Sequence, residues 1–195
     1  MSAPGGGTGG AAGELTPEER RTLLRAARES IGAHFARRRP DLPAATGGLA
    51  EERGAFVTLH RRDGELRGCV GLLRSDRSLL DTVAQMAVAA AVKDGRFAPV
   101  TAAELAGLRI EISALGPLEP IRPEDVEVGR HGLVIGHEGR RGVLLPQVPV
   151  EHGWDRETFL AHTCWKAGLP EDTWRRRGVE LLGFTAIVFD ESSAG

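Results

Sequence analysis

The chain has 195 residues and a formal net charge of −2, with 41% apolar and 27% charged residues, which fits one soluble domain or one domain made of two lobes. The near-neutral balance argues against a general nucleic-acid or anionic-membrane binder. Only two cysteines occur, Cys69 and Cys164; they form no disulfide framework and match no zinc spacing, so reduced thiols in a cytoplasmic protein are expected.

No apolar run approaches the roughly 18 residues of a membrane-spanning helix. The start, MSAPGGGTGGAAGE, has neither the basic nor the apolar region of a signal peptide. Residues 1–13 offer nothing to pack, and a disordered tail is expected there, with one folded domain over 14–191 and a fraying end at 192–195. The GGGTGG within the tail follows no strand and precedes no lysine, so it is not read as a phosphate loop.

The first helix opens at TPEE. Thr16 suits the N-cap, Pro17 the first helical position and Glu19 the third residue of a capping box. Leu23, Leu24, Ala27, Ile31 and Phe35 then make an apolar stripe at helical spacing, and RRRP at 37–40 ends it. AFVTLHRRDGELRGCVG reads as a β-hairpin turning at Asp63-Gly64. In its second strand Leu66, Gly68 and Val70 share one face, and Arg67, Cys69 and Gly71 the other. A helix follows from about Ser78 to Lys93, capped by Ser78 with Asp81. DGRFAPV is a structured loop, and TAAE at 101–104 is a second capping box.

LRIEISALG alternates, with Ile110, Ile112 and Ala114 on one face and Arg109, Glu111 and Ser113 on the other. HGLVIGHEGRRGVLLPQV predicts a second hairpin turning near Glu138-Gly139. Asp155 caps a helix to about Ala167, stopped by Gly168; PEDTWRRRG is a short helical turn. VELLGFTAIVF predicts one long, central final strand. Hairpins interleaved with helices predict an α+β fold, a mostly antiparallel sheet flanked by helices, over a doubly wound parallel one.

Cys69 is the first candidate for chemistry. Arg67, two residues away on a strand, would lie beside the thiol and favour its thiolate. Gly68 and Gly71 remove bulk on both sides, which marks the close approach of a ligand or of another backbone. The bland alternative is a small packed hydrophobe beside a bulge. A nucleophilic cysteine wants a base. With Asp63-Gly64 as the turn, His60 pairs with Arg67 and would sit near that face, unless the register slips. No histidine pair makes a compact metal motif. His131 either lines a pocket or serves a turn. Glu111 needs a partner if its face is covered and is an ordinary surface charge if it is open. Arg96 clamps an anion or braces its loop. Trp154, Trp165 and Trp174 read as packing residues.

LRGCVG at 66–71 resembles the signature hexapeptide of the AMMECR domain family, whose bacterial and archaeal members are called AmmeMemoRadiSam system protein A. KDGRFAPVTAAEL, IEISAL, GRHGLVI, RGVLLPQV with EHGWDRETFL, and CWKAGLP resemble further family blocks in order, over roughly residues 15–190. The resemblance implies an α+β fold of two subdomains with the hexapeptide close to their junction. It also implies two neighbours in action, a Memo-like protein and a radical SAM enzyme, and it supplies no established reaction and no cofactor. Carried over, Arg67, Gly68, Cys69 and Gly71 fall on the hexapeptide, Arg96 and Phe97 on the Arg-Phe of the loop, His131 on the His-Gly element, and Pro146 and Gln147 on the Pro-Gln element. Gly95 stands where the family usually has proline, which loosens that loop.

Two functions are thereby expected. In one, the chain is a thiol-based enzyme or an enzyme subunit, with Cys69, Arg67, His131 and Glu111 in catalysis and Gly68, Gly71, Arg96, Phe97 and Gln147 holding an unknown small molecule. In the other, it is a non-catalytic module that binds a protein or ligand.

Overall fold

The computed structural model describes residues 14–192. The tail expected over residues 1–13 lies outside them, as do residues 193–195. The chain forms two compact units: one runs to Ile112 and resumes at Ile187, and the other is Ser113–Ala186.

The first unit begins with α1 (Pro17–Phe35), where Glu19 N–H donates to Thr16 Oγ1 at 3.2 Å and Thr16 N–H returns the bond to the Glu19 carboxylate at 2.8 Å. This reciprocal pairing satisfies two of the amides that a helix start leaves without partners. Leu23, Leu24, Ala27 and Ile31 are buried. A 3₁₀ turn (Gly47–Ala50) leads to β1 (Ala55–His60) and β2 (Leu66–Leu72). Next come α2 (Leu79–Val92), capped by Ser78 Oγ accepting Asp81 N–H at 3.1 Å, the short α3 (Ala102–Leu105) and β3 (Arg109–Leu115). With β8 (Ala186–Asp190) these strands make a sheet of order β2-β1-β3-β8. α2 packs on β1 and β2, and α1 packs on α2. Ala55, Val57 and Leu59 of β1, and Ile110 and Ile112 of β3, are fully buried.

The hairpin differs from its expected form at both ends. Its loop has three residues, Arg62 to Gly64, because Arg61 N–H donates to Glu65 O at 2.8 Å; Gly64 takes φ +90° there, which glycine adopts without a Cβ clash. That moves the register by one, and His60 faces Leu66 instead of Arg67. The next pair is Leu59 with Gly68, so Arg67 is the extra residue of a β-bulge. The bulge restores the register for the rest of the ladder, and Thr58 lies opposite Cys69.

The second unit holds β4 (Glu119–Pro120), β5 (Gly132–His137), β6 (Arg140–Leu144), α4 (Gln147–Glu151), α5 (Arg156–Lys166) and β7 (Glu180–Phe184), with 3₁₀ turns at Pro123–Asp125 and Thr173–Arg175. Its antiparallel sheet has the order β4-β7-β5-β6. The β5–β6 turn places Glu138 and Gly139 at φ +50° and +77°, as a two-residue primed turn requires. Asp155 caps α5 by accepting Thr158 N–H at 2.8 Å, and Gly168 ends it at φ +69°. Leu133, Phe159 and Leu160 form one buried cluster, and Ile135, Cys164 and Leu169 another.

Two expected strands are corrected. The long final strand is two strands, β7 and β8, in different sheets; β7 is internal to its sheet, whereas β8 is at an edge. The break falls at Thr185, whose carbonyl accepts Gly116 N–H at 2.8 Å. The second hairpin ends at Leu144, because Gln147 opens a short helix, not the end of a strand.

Gly68 faces α2. A Cβ there would sit 2.2 Å from the Ala90 carbonyl oxygen, a backbone atom that cannot give way without moving the helix. Gly68→Ala is therefore expected to cost about 1–3 kcal/mol through overpacking, read as a lower midpoint in chemical denaturation; an unchanged midpoint would show that α2 does not lie this close.

Candidate functional site

β2 is the edge of its sheet, so half of its backbone groups have no strand to pair with. At Cys69 a loop supplies the partner. Cys69 N–H donates to Asp94 Oδ2 at 2.8 Å, and Arg96 Nη2 reaches Cys69 O at 3.4 Å. Asp94 and Arg96 are themselves paired, with Nη2 2.7 Å and Nε 2.9 Å from the carboxylate oxygens. Asp94 Oδ1 also accepts Arg96 N–H at 3.1 Å, and Phe97 N–H donates to Asp94 O at 3.1 Å. The turn is thus closed by Asp94, in a position where Gly95 was expected to loosen it. The Arg96 guanidinium lies 5.5 Å from the centre of the Phe97 ring. With these three donors the Asp94 carboxyl is held far below the usual carboxylate range, first by Arg96 and then by the Cys69 and Arg96 amides. Arg96 therefore braces the loop and the strand together.

Because the Cys69 backbone points away from β1, its side chain stands close to that of Thr58, as in the narrow pairs of an antiparallel ladder. Thr58 Oγ1 donates to Cys69 Sγ at 3.2 Å. The thiol is partly buried, and its pKa is raised: burial dominates, the Thr58 hydroxyl and Arg96 oppose it, and Asp94 and Glu111 add to it. This corrects the expected thiolate. Arg67 does not serve the thiol. As the bulge residue it turns aside, is 5% exposed, and donates to Glu104 Oε1 at 3.1 Å and to Ala98 O at 2.9 Å.

The glycines are corrected too. The room at Gly68 is taken by α2, and a Cβ at Gly71 would meet the Phe56 ring at 2.2 Å. Both serve close packing within the protein, one against backbone and one beneath an aromatic ring.

Beside Thr58 on the same face stands His60. Its Nδ1 is 3.3 Å from the Gly64 carbonyl, which can only accept, so Nδ1 carries the proton. Its Nε2 is buried and faces Glu111 Oε2 at 3.8 Å, longer than a hydrogen bond. Glu111 is therefore no ordinary surface charge; its side chain is 23% exposed and directed at an imidazole. Cys69, Thr58, His60 and Glu111 form one polar row across β2, β1 and β3, edged by Asp94 and Arg96.

His131 and Gln147 belong to the second unit. His131 Nδ1 accepts Glu127 N–H at 3.0 Å, and Gln147 Oε1 is buried without a hydrogen-bond partner. Sequence reasoning did not single out Thr58, Asp94 or Glu104. The signal for Thr58 was the hairpin register, and for Asp94 its place in KDGRF; Glu104 was read only as a cap, which it is, accepting Thr101 N–H at 2.8 Å.

Residues 24–189 match the AMMECR1 family model, and the chain belongs to that family. Protein MJ0810 of Methanocaldococcus jannaschii is 42% identical over 185 residues, covering 91% of this chain and 92% of that one. Protein MK0488 of Methanopyrus kandleri is 42% identical, covering 91% of each. The crystal structure of uncharacterized protein PH0010 from Pyrococcus horikoshii superposes with a TM-score of 0.81 at 40% identity, covering 88% of this chain and 91% of that chain.

Two outcomes follow from the electrostatics. Iodoacetamide is expected to label Cys69 more slowly in the native protein than in denaturant at neutral pH, with the rate climbing into the alkaline range; Thr58→Val slows it further, because the hydroxyl that steadies the thiolate is gone. Peptide mapping reads the label at Cys69, and a native rate that levels off below neutral pH would contradict the raised pKa.

Glu104 is held near a pKa of about 2, against an ordinary 4.5, by the Thr101 amide first and Arg67 second. A carboxyl lowered on folding contributes stability above its unfolded pKa and loses it as the pH falls through the folded one. Glu104→Gln should therefore lower the melting temperature at neutral pH and flatten its fall between about pH 4.5 and pH 2. Melts across that range check this, and an unaltered acid limb would contradict it.

Proposed function

We propose that the chain is one subunit of a larger catalytic system and that the Cys69 row is the surface it contributes. The observation that carries the reading is the clamp on Cys69: both backbone groups of one residue on a sheet edge are satisfied by the buried Asp94 carboxylate and the exposed Arg96 guanidinium, and the half-buried thiol is thereby held beside Thr58 on the face opposite α2. A chain that needed only to protect its edge could do so with a lysine, a proline or a short strand. Here one residue is fixed at both backbone groups and at its sulfur, as a group that must meet a partner in one orientation is fixed.

A protonated thiol is not a standing nucleophile. The subunit reading is favoured because such a group acts once something else removes its proton or uses its hydrogen. The Memo-like protein and the radical SAM enzyme named by the family resemblance are the proposed partners, in the cytoplasm. A second reading keeps the chemistry within the chain. His60, with Nδ1–H committed to Gly64, has Nε2 left to exchange a proton, and Glu111 faces it; His60 and Glu111 then supply the base that Cys69 needs. Arg67 and the glycines hold the strand in both readings. Arg96 and Phe97 border the row, and an unknown small molecule would be held there.

The experiment is co-purification of the chain with both proposed partners. Arg96→Ala, at a residue whose side chain is 57% exposed, is expected to weaken capture while the fold survives. Cys69→Ser should leave capture intact and abolish the activity of the assembled system. Capture unaffected by Arg96→Ala would contradict the surface. Full activity with Cys69→Ser would remove the sulfur from the account.

A further inference from the structure

The second unit carries a polar cavity of its own, of about 210 Å³, lined by Glu119, Ile121, Arg130, His131, Phe184 and Thr185 among others. It is formed by residues that the Cys69 row does not use. We propose that it binds a small monocarboxylate, with His131 Nε2–H as the fixed donor.

The turn before β5 sets the imidazole. Gly129 at φ +86° lets the chain close on itself, and His131 N–H donates to Glu127 O at 3.0 Å. The side chain returns the contact: Glu127 N–H donates to His131 Nδ1 at 3.0 Å. A backbone amide can only donate, so Nδ1 is an acceptor and carries no hydrogen. The ring's hydrogen is then on Nε2. The turn thus uses one nitrogen and leaves the other a single role, that of a donor on a residue lining the cavity.

The neighbours match that role. Thr185 lies at the break between β7 and β8, where its carbonyl is held by Gly116 N–H at 2.8 Å. Its hydroxyl would be 2.5 Å from a Cβ at Gly116, so only a glycine there leaves the space it occupies. Arg130 uses Nη1 on the Glu127 carboxylate, at 3.0 and 3.2 Å, leaving Nε and Nη2 outside that contact. The floor is apolar and closely packed: Phe184 is 2% exposed and its ring lies against Gly132, where a Cβ would meet it at 2.3 Å.

An imidazole N–H, a hydroxyl and a guanidinium edge suit the two oxygens of a carboxylate, and Ile121 with Phe184 suit a short apolar tail. Glu119 on the same cavity adds a negative charge. It opposes a dianion more strongly than a monoanion and so favours a monocarboxylate over doubly charged phosphate.

The test is titration of the full chain with propionate, followed by backbone amide shifts of residues 127–131 and 183–185, with sodium chloride and inorganic phosphate as comparators. Saturable propionate binding that chloride does not reproduce is expected. In His131→Asn the amide oxygen stands near the place of Nδ1 and keeps the turn, but the Nε2–H is lost; affinity should fall about tenfold while the melting temperature holds. Thr185→Val should weaken binding in a chain whose turn is untouched. Propionate shifts matched by chloride, tighter binding of phosphate, or wild-type affinity in both variants would overturn the proposal.

Discussion

The protein's candidate site depends on how one edge strand satisfies its backbone. β2 has a sheet neighbour on one side only, and on the other a carboxylate and a guanidinium take the place of a strand at Cys69. Asp94 accepts the amide and Arg96 donates to the carbonyl, while each holds the other. A charge-assisted bond to a backbone amide is stronger than an ordinary ladder bond. It also ends the edge, because a second chain cannot add a strand where both groups are taken. The same clamp decides where the side chain goes: Cys69 turns to the face opposite α2, beside Thr58.

The bulge at Arg67 is the counterpart of that clamp. A three-residue loop moved the hairpin by one position, and without compensation Gly68 would turn away from α2, where only glycine fits against the Ala90 carbonyl. The extra residue restores the register. It also sends the Arg67 guanidinium to Glu104 and the Ala98 carbonyl, where a buried cation finds the partners it requires. Loop, bulge, glycine and cysteine are consequently one device. The hexapeptide is a packing solution on one face and holds a half-buried thiol on the other.

Much of this was legible in the sequence. The caps at Thr16, Ser78, Thr101 and Asp155, the turn at Glu138-Gly139 and the alternation of β3 are local rules, in which a few neighbouring residues settle the structure. The role of Arg67 was not legible, because strand alternation predicts a shared face with Cys69 and a single bulge cancels that prediction. The glycines pointed correctly to a close approach, but sequence does not say whether a ligand, a helix carbonyl or an aromatic ring approaches. The final strand misled because an apolar run has the same appearance whether it stays in one sheet or crosses to another at Thr185. Asp94 escaped notice for a related reason: its partner is an amide 25 residues away, and no spacing rule connects them.

The most direct measurement of the central claim is amide hydrogen exchange at Cys69. An outward-facing amide on an edge strand exchanges as freely as a loop amide unless something holds it. The clamp predicts that Cys69 N–H is protected in the wild-type chain and that Asp94→Ala removes this protection while the inward-paired amides of β1 keep theirs. Rapid exchange at Cys69 in the wild-type protein would contradict the clamp, and with it the account of how this thiol is held.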